Sequence, residues 1–210
     1  MEFNFADVER ALALTYNVRD DKRSAFSYRL KHLQKLGFPP GINTGRGRAA
    51  TYTVGHLFLL GVALELNQLG LNPERAVGVI EENMLDIAQG GMMAAREGPP
   101  DGSFELPFLL YFVPAGLSDL TIPSRGGTDL ASATFHYGGL GVARESFEAW
   151  FKGGLSRVAF LSLSTLIYDL ASYSRGQPPR PITDFYDEMI EWAERQIATE
   201  GGGDGDDPEA

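Results

Sequence analysis

Between Val54 and Leu69 the apolar side chains, Leu57, Phe58, Leu60, Val62, Leu64, Leu66 and Leu69 among them, fall on nearly every side of a helical wheel. A helix of this kind has no broad polar face to turn toward water, so other elements must wrap it. Whatever precedes and follows this segment therefore has to pack around it. The segment's ends are legible too. Leu69-Gly70-Leu71 places a glycine where a left-handed helix cap belongs, and Asn72-Pro73-Glu74 opens the next helix with cap, first-turn proline and acid in order. Ala76, Ile80, Met84 and Ile87 then form one stripe.

Upstream, Asn4 to Val18 puts Val8, Leu12 and Tyr16 at helical spacing, with Asn4 as cap and Asp7 and Glu9 near the positive helix end. The polar run RDDKR breaks this helix. A second follows in SAFSYRLKHLQKLGFPP, with Phe26, Leu30 and Leu33 inward, Ser24 as the expected cap and Gly37 as the stop. Its other face carries Ser27, Tyr28, Arg29, Lys31, His32 and Lys35. Next, PPGINTGRGRAATYTV has turn glycines, Arg46 and Arg48 at its tip and a strand-like end in Thr51, Tyr52 and Thr53, the pattern of a small basic hairpin.

Proline and glycine replace periodic apolar residues at Gly98 to Ser103, which predicts a module boundary; at 210 residues the chain has room for two modules. Beyond it, Phe104 to Val113 reads as a strand that Pro107 pushes toward an edge or bulge, and Ala133 to Tyr137 and Arg157 to Leu163 read as further strands. Ser164 is the expected cap of a helix through Tyr173. Pro181 to Thr199 reads as a last amphipathic helix with Phe185, Met189 and Trp192 inward, and GGGDGDDPEA is too polar and glycine-rich to fold.

Charge is segregated along the chain. From Arg19 to Arg48, eight lysines and arginines against Asp20 and Asp21 leave +6, so with a net charge of −10 the remainder carries −16. A basic segment in an acidic protein points to a polyanion partner at that segment alone. There is no cysteine, which removes thiolate metal sites, iron-sulfur clusters and thiol nucleophiles together. Three scattered histidines offer little for zinc: His56 reads as a surface or cap residue and His136 as a core histidine. No Gly-x-Ser-x-Gly elbow or His-x-x-x-His pair occurs, GINTGRGR lacks the Gly-Lys-Ser/Thr ending of a phosphate loop, and neither catalysis nor a metal or cofactor is expected. No stretch approaches the roughly twenty apolar residues of a membrane span, and the amino terminus has no basic region followed by an apolar run, so a cytoplasmic protein is expected.

Helix, turn, basic helix, basic hairpin, apolar helix and proline-started helix, in that order, is what a duplex reader requires: a helix fits the major groove while a hairpin reaches the neighbouring backbone. YRLKHLQKLGFPP, GRGRAATYT and HLFLLGVALELNQLGLNPERAVGVI together resemble the recognition helix, basic wing and following helix pair of the MerR family, over Phe5 to Glu82. The resemblance implies a winged helix-turn-helix that binds double-stranded DNA as a homodimer, with Asn72 to Ala95 the candidate dimerisation helix, although Gly78 and Gly90-Gly91 would weaken a coiled coil there. The recognition helix lacks the family's usual paired aromatics, so the family's promoter-untwisting mechanism does not carry over.

The expected fold is therefore α+β, mainly α. Residues 1–97 form a MerR-like winged helix DNA-binding module, 104–199 a smaller α+β module and 200–210 a disordered acidic tail. Arg29, Lys31, Lys35, Arg46 and Arg48 are the expected phosphate contacts; Ser24, Ser27, Tyr28 and His32 are placed to meet base edges. The second module's aromatics, in FLLYFV, TFHY and FEAWF, read as core more than as a pocket. Sensing of a small-molecule effector, dimer formation or contact with a partner protein are its expected roles. The function expected is a sequence-specific transcription regulator. The alternative is a mobile-element or nucleoid adaptor that organises a nucleoprotein complex without regulating a promoter.

Overall fold

The first helix, α1 (Phe5–Thr15), starts on a reciprocal cap: Asn4 Oδ1 accepts from the Asp7 amide at 3.0 Å and Asp7 Oδ2 accepts from the Asn4 amide at 3.3 Å. Capping of this kind contributes about 1 kcal/mol. These features come from a computed structural model that describes residues 1–42, 49–113, 135–154, 156–174 and 179–201. Val8 and Leu12 are buried beneath α1, and the Tyr16 hydroxyl just past its end donates to the Gly61 carbonyl at 2.8 Å. A short 3-10 turn, Asp20–Lys22, leads into α2 (Arg23–Lys35), on which Phe26, Leu30 and Leu33 are buried. Ser24 is not the cap. The helix begins after Lys22 without a side-chain bond, because the carbonyls of Arg19 and Asp20 in the 3-10 turn already accept from the amides of Lys22 and Arg23.

The apolar segment forms α3 (Val54–Gln68), with Thr53 and His56 closing a second reciprocal cap. Eleven of its fifteen residues are buried. Each fully buried Leu, Val or Phe contributes roughly 1.5–3 kcal/mol, so this one helix accounts for much of the drive to fold. Helices α4 (Pro73–Glu82), α7 (Leu163–Tyr173) and α8 (Ile182–Gly201) pack around it along with α1. On α8, Phe185, Met189 and Trp192 point inward as the spacing predicts, with Trp192 edge-on to Phe58. Gly37 and Gly70 adopt φ of +81° and +98° at the ends of α2 and α3, the left-handed stops read from the sequence.

Asn72 to Ala95 is not one helix. The chain bends at Asn83 (φ −125°, ψ 28°), whose side chain donates to the Val79 carbonyl and accepts from the Phe135 amide, and a separate α5 (Met84–Arg96) follows. Nor is α5 free to form a dimer hairpin, since it lies inside the core against α8, α7 and the sheet. Its glycines are explained by that position. A Cβ on Gly90 would lie 2.9 Å from Tyr137 Cβ, and one on Gly91 would lie 2.5 Å from Met189 Cε.

A three-stranded antiparallel sheet follows, in the order β2 (Phe135–Gly139), β1 (Phe108–Phe112), β3 (Ala159–Ser162). The register pairs Leu110 with Tyr137 on one side and with Leu161 on the other. Pro107 does not push this strand to the edge: it stands just ahead of β1, so its missing N–H falls outside the ladder and β1 is central. Phe108, Leu110 and Phe112 face the main core, whereas Leu109 and Tyr111 face outward to Ala143, Phe147 and Trp150 of α6 (Leu140–Lys152), a helix the sequence reading did not identify. His136 is likewise on this outer face, exposed and stacked on Tyr111 at 5.8 Å, not in the core. Ser162, and not Ser164, caps α7; Ser164 is buried and its Oγ accepts from the Phe108 amide at 2.9 Å.

One contiguous core runs from Phe3 to Ala193. The turn at Gly98 to Ser103 therefore joins two parts of a shared interior and does not separate two cores. The architecture is α+β and mainly α, and among the described residues no helix is long and apolar enough to cross a membrane. The expected acidic tail lies outside the described residues from 202 onward.

Two helix glycines give opposite expectations. Gly78 in α4 has nothing within 4 Å of an added Cβ, so Gly78→Ala should stabilise the fold by about 0.5–1 kcal/mol. Gly90→Ala gains the same propensity but drives its Cβ into Tyr137, and overpacking at about 1–3 kcal/mol should make it net destabilising. Urea unfolding of both variants decides; equal shifts would mean that α5 is not packed as described.

Candidate nucleic-acid interface

Three attachments hold α2 and leave one face open. Behind it, Gln34 Nε2 donates to the Tyr52 hydroxyl, and Tyr52 is fixed by an antiparallel bridge to Phe3 with both backbone bonds at 2.9 Å. On one flank the Ser27 hydroxyl donates to Glu9 Oε2 at 3.0 Å. On the other, His32 Nε2 lies 3.0 Å from Glu74 Oε1. The Glu74 carboxyl is held below its usual value, chiefly by its own backbone N–H and then by His32. Ser27 and His32, expected at base edges, are thus engaged by α1 and α4.

The outward face then carries Ser24, Tyr28, Lys31 and Lys35, which the helical repeat places on one side. Tyr28 is 66% exposed. The Lys31 ammonium sits 5.6 Å from the Phe5 ring centroid and that of Lys35 5.9 Å from the Tyr28 ring. Such contacts limit where the two charges can be without neutralising them. Neither lysine has an acidic partner among the described residues, unlike Arg19 and Lys22, which pair with Asp21, and Arg23, which pairs with Asp20. Part of the segment's +6 is therefore cancelled locally, and the uncancelled part lies on α2. Arg29 diverges from this face: it borders a shallow cleft with Tyr16, Val18, Leu64, Asn67 and Gln68. Arg46 and Arg48 lie outside the described residues.

The described residues that follow those two arginines are held in place. Tyr52 leads into the cap of α3, where His56 Nδ1 accepts from the Thr53 amide at 3.1 Å and the ring has the Pro40 backbone as its other partner. Sequence reading identified His56 as a surface or cap residue, but not Phe5, Gln34 or Tyr52 as the residues that set the position of α2 and its lysines. Nothing in their spacing marks them, since each acts across eighteen or more residues.

Burial holds the His56 imidazole below its usual value of 6.5. The unfolded chain then takes up this proton first as pH falls. The stabilising contribution of His56 should be complete above about pH 6.5 and lost as pH falls from there through the folded value. Between pH 7.5 and 5.5 the chain should lose more unfolding free energy than His56→Gln does; equal losses would remove His56 from the cap. Comparison of the chain with known protein families, characterised proteins and solved structures finds no match.

Proposed function

We propose that this chain is a sequence-specific, double-stranded DNA-binding transcription regulator of the winged helix-turn-helix type that the MerR resemblance implies, acting in the cytoplasm as a homodimer on a palindromic site. The observation that carries the reading is the outward face of α2, where an exposed tyrosine is followed by two ammonium groups that have no acidic partner among the described residues, on a helix braced from behind and on both sides. A helix presented in this way meets the steric demand of the major groove. Lys31 and Lys35 supply phosphate contacts that displace counterions, and Tyr28 and Ser24, on the turns ahead of them, are the groups that reach base edges. The antiparallel bridge of Phe3 to Tyr52 lies at the root of the loop bearing Arg46 and Arg48, which supports that loop's reading as a basic wing.

The charge distribution favours one orientation. With −16 outside the basic segment, the rest of the molecule is repelled by a duplex, so association is steered to the α2 face and the adjacent loop.

Binding to a selected duplex across a salt series tests this. Lys31→Ala with Lys35→Ala should weaken binding to every sequence and reduce the slope of log K against log salt by about 1.8, the value for two phosphate contacts. Tyr28→Ala should change which sequence is preferred. Arg29→Ala, from the side of α2 that faces the α3 cleft, should change neither by much. Absence of duplex affinity at low salt overturns the proposal, and an effect of Arg29→Ala equal to that of the lysines overturns the assigned face.

A further inference from the structure

Where the residues just past α1 meet α2 and the last turns of α3, the chain leaves a cleft of about 200 Å³. Its apolar lining is Phe26 and Leu64, both buried, with Val18 and Tyr16 half-buried beside them. The Tyr16 hydroxyl is already committed to the Gly61 carbonyl. The polar lining is Arg29, Asn67 and Gln68, and no acid among the described residues belongs to it. Glu65, next to Leu64 in the chain, lines a separate cavity with Thr15 and Asp169.

Arg29 is the member of this lining that packing does not explain. It has neither a hydrogen bond nor an ion pair among the described residues, whereas Arg19, Lys22 and Arg23 at the head of α2 are each paired with Asp20 or Asp21, and Lys31 and Lys35 lie over aromatic rings. It also diverges from the outward face that carries those two lysines. Nor is it needed to close the end of α3, because the carbonyls of Glu65, Leu66 and Asn67 already accept from the amides of Leu69, Leu71 and Gly70. An uncommitted guanidinium beside buried apolar side chains presents a planar fork of donors that a carboxylate fits with two parallel bonds. The side-chain amide of Gln68, likewise without a hydrogen bond among the described residues, adds a donor, while Asn67 Nδ2 is taken by the Leu71 carbonyl at 3.0 Å.

Charge and volume narrow the ligand. One guanidinium balances one negative charge, so a phosphate group at about −1.5 to −2 would leave an excess in a chain that already carries −10. A bare inorganic anion would leave Phe26 and Leu64 unused. The cleft is smaller than the roughly 300–1,000 Å³ of sites for drug-sized ligands, so the body attached to the acid must be compact.

We propose that this cleft binds a small organic acid, a monocarboxylate with a compact aromatic body, whose carboxylate is taken by Arg29 and Gln68 while its ring lies on Phe26, Leu64 and Val18. The site uses none of Ser24, Tyr28, Lys31 and Lys35, and its failure would leave the DNA-binding proposal standing.

Isothermal titration calorimetry of the full chain at pH 7.5 with benzoate, benzamide and acetate tests the site. Benzamide keeps the shape without the charge, and acetate keeps the charge without the ring. Benzoate should bind at least about tenfold more tightly than either, since a hydrogen bond to a charged group and the burial of a ring are each worth about that much. Arg29→Gln should weaken benzoate by about tenfold and bring it level with benzamide. Without ligand this variant should melt at the wild-type temperature, because Arg29 has no partner among the described residues to lose. In the wild-type protein, amide chemical-shift changes on adding benzoate should centre on residues 16–18, 26–29 and 64–68, which locates the site without relying on the variant. Equal affinity for benzoate and benzamide, equal affinity for benzoate and acetate, undiminished binding in Arg29→Gln, shift changes centred on residues 31–35 or elsewhere, or no binding of benzoate at millimolar concentration would each overturn the proposal.

Discussion

Burial of α3 on nearly all sides is the constraint on which the rest of the structure depends. A helix with Leu57, Phe58, Leu60, Val62, Leu64 and Leu66 distributed around its axis cannot sit at a surface. It is surrounded by α1, α4, α7 and α8, elements drawn from both ends of the chain. This is why the turn at Gly98 to Ser103 does not divide the protein: the amino-terminal helices and the carboxy-terminal helix share α3 as a packing partner, and Trp192 reaches Phe58 across that junction. The Tyr16 bond to Gly61 adds a polar tie between α1 and the same helix.

From that centre the structure grades toward its charged surface. The buried stripe of α2 is anchored to the core, and its flanks are tied to Glu9 and Glu74, which leaves the side with Tyr28, Lys31 and Lys35 open to solvent. The acids that might neutralise this face are engaged elsewhere: Asp20 and Asp21 by the arginines and lysine at the head of α2, and Asp7 by Arg10 and the α1 cap. Unpaired charge is thus concentrated by the pairing of its neighbours, and not merely by the number of bases. Near the end of α3, Glu65 and Asp169 line one open cavity.

The sheet illustrates how a second layer changes the meaning of a sequence pattern. Phe108 to Phe112 is apolar throughout because both faces are covered, the inner one by α5 and α7 and the outer one by α6. A run of that kind is equally consistent with an edge strand beside a proline or with a central one, and the ladder partners on both sides settle it. The aromatics that read as core are in fact divided: Phe112 and Phe135 pack inward at 4.5 Å, while Tyr111, His136, Phe147 and Trp150 form an outer cluster in which Tyr111 is buried, Phe147 and Trp150 half-buried and His136 exposed.

The sequence by itself determined the features that depend on near neighbours in the chain. The caps at Asn4 and Asn72, the left-handed stops at Gly37 and Gly70 and the buried positions of the first four helices follow from spacings of three or four residues or from glycine's freedom at positive φ, and the segregated positive charge is read directly from the residues. The basic residues of the candidate interface were legible for the same reason. Tertiary structure decided the rest. Only packing shows that α5 is interior, that Ser27 and His32 are engaged by other helices, that Arg29 turns away from Lys31 and Lys35, that His136 is exposed, and that Glu65 and Asp169, from α3 and α7, share one cavity. These depend on contacts between residues distant in sequence, and a one-dimensional pattern gives the period of a helix face without naming the element that will cover it.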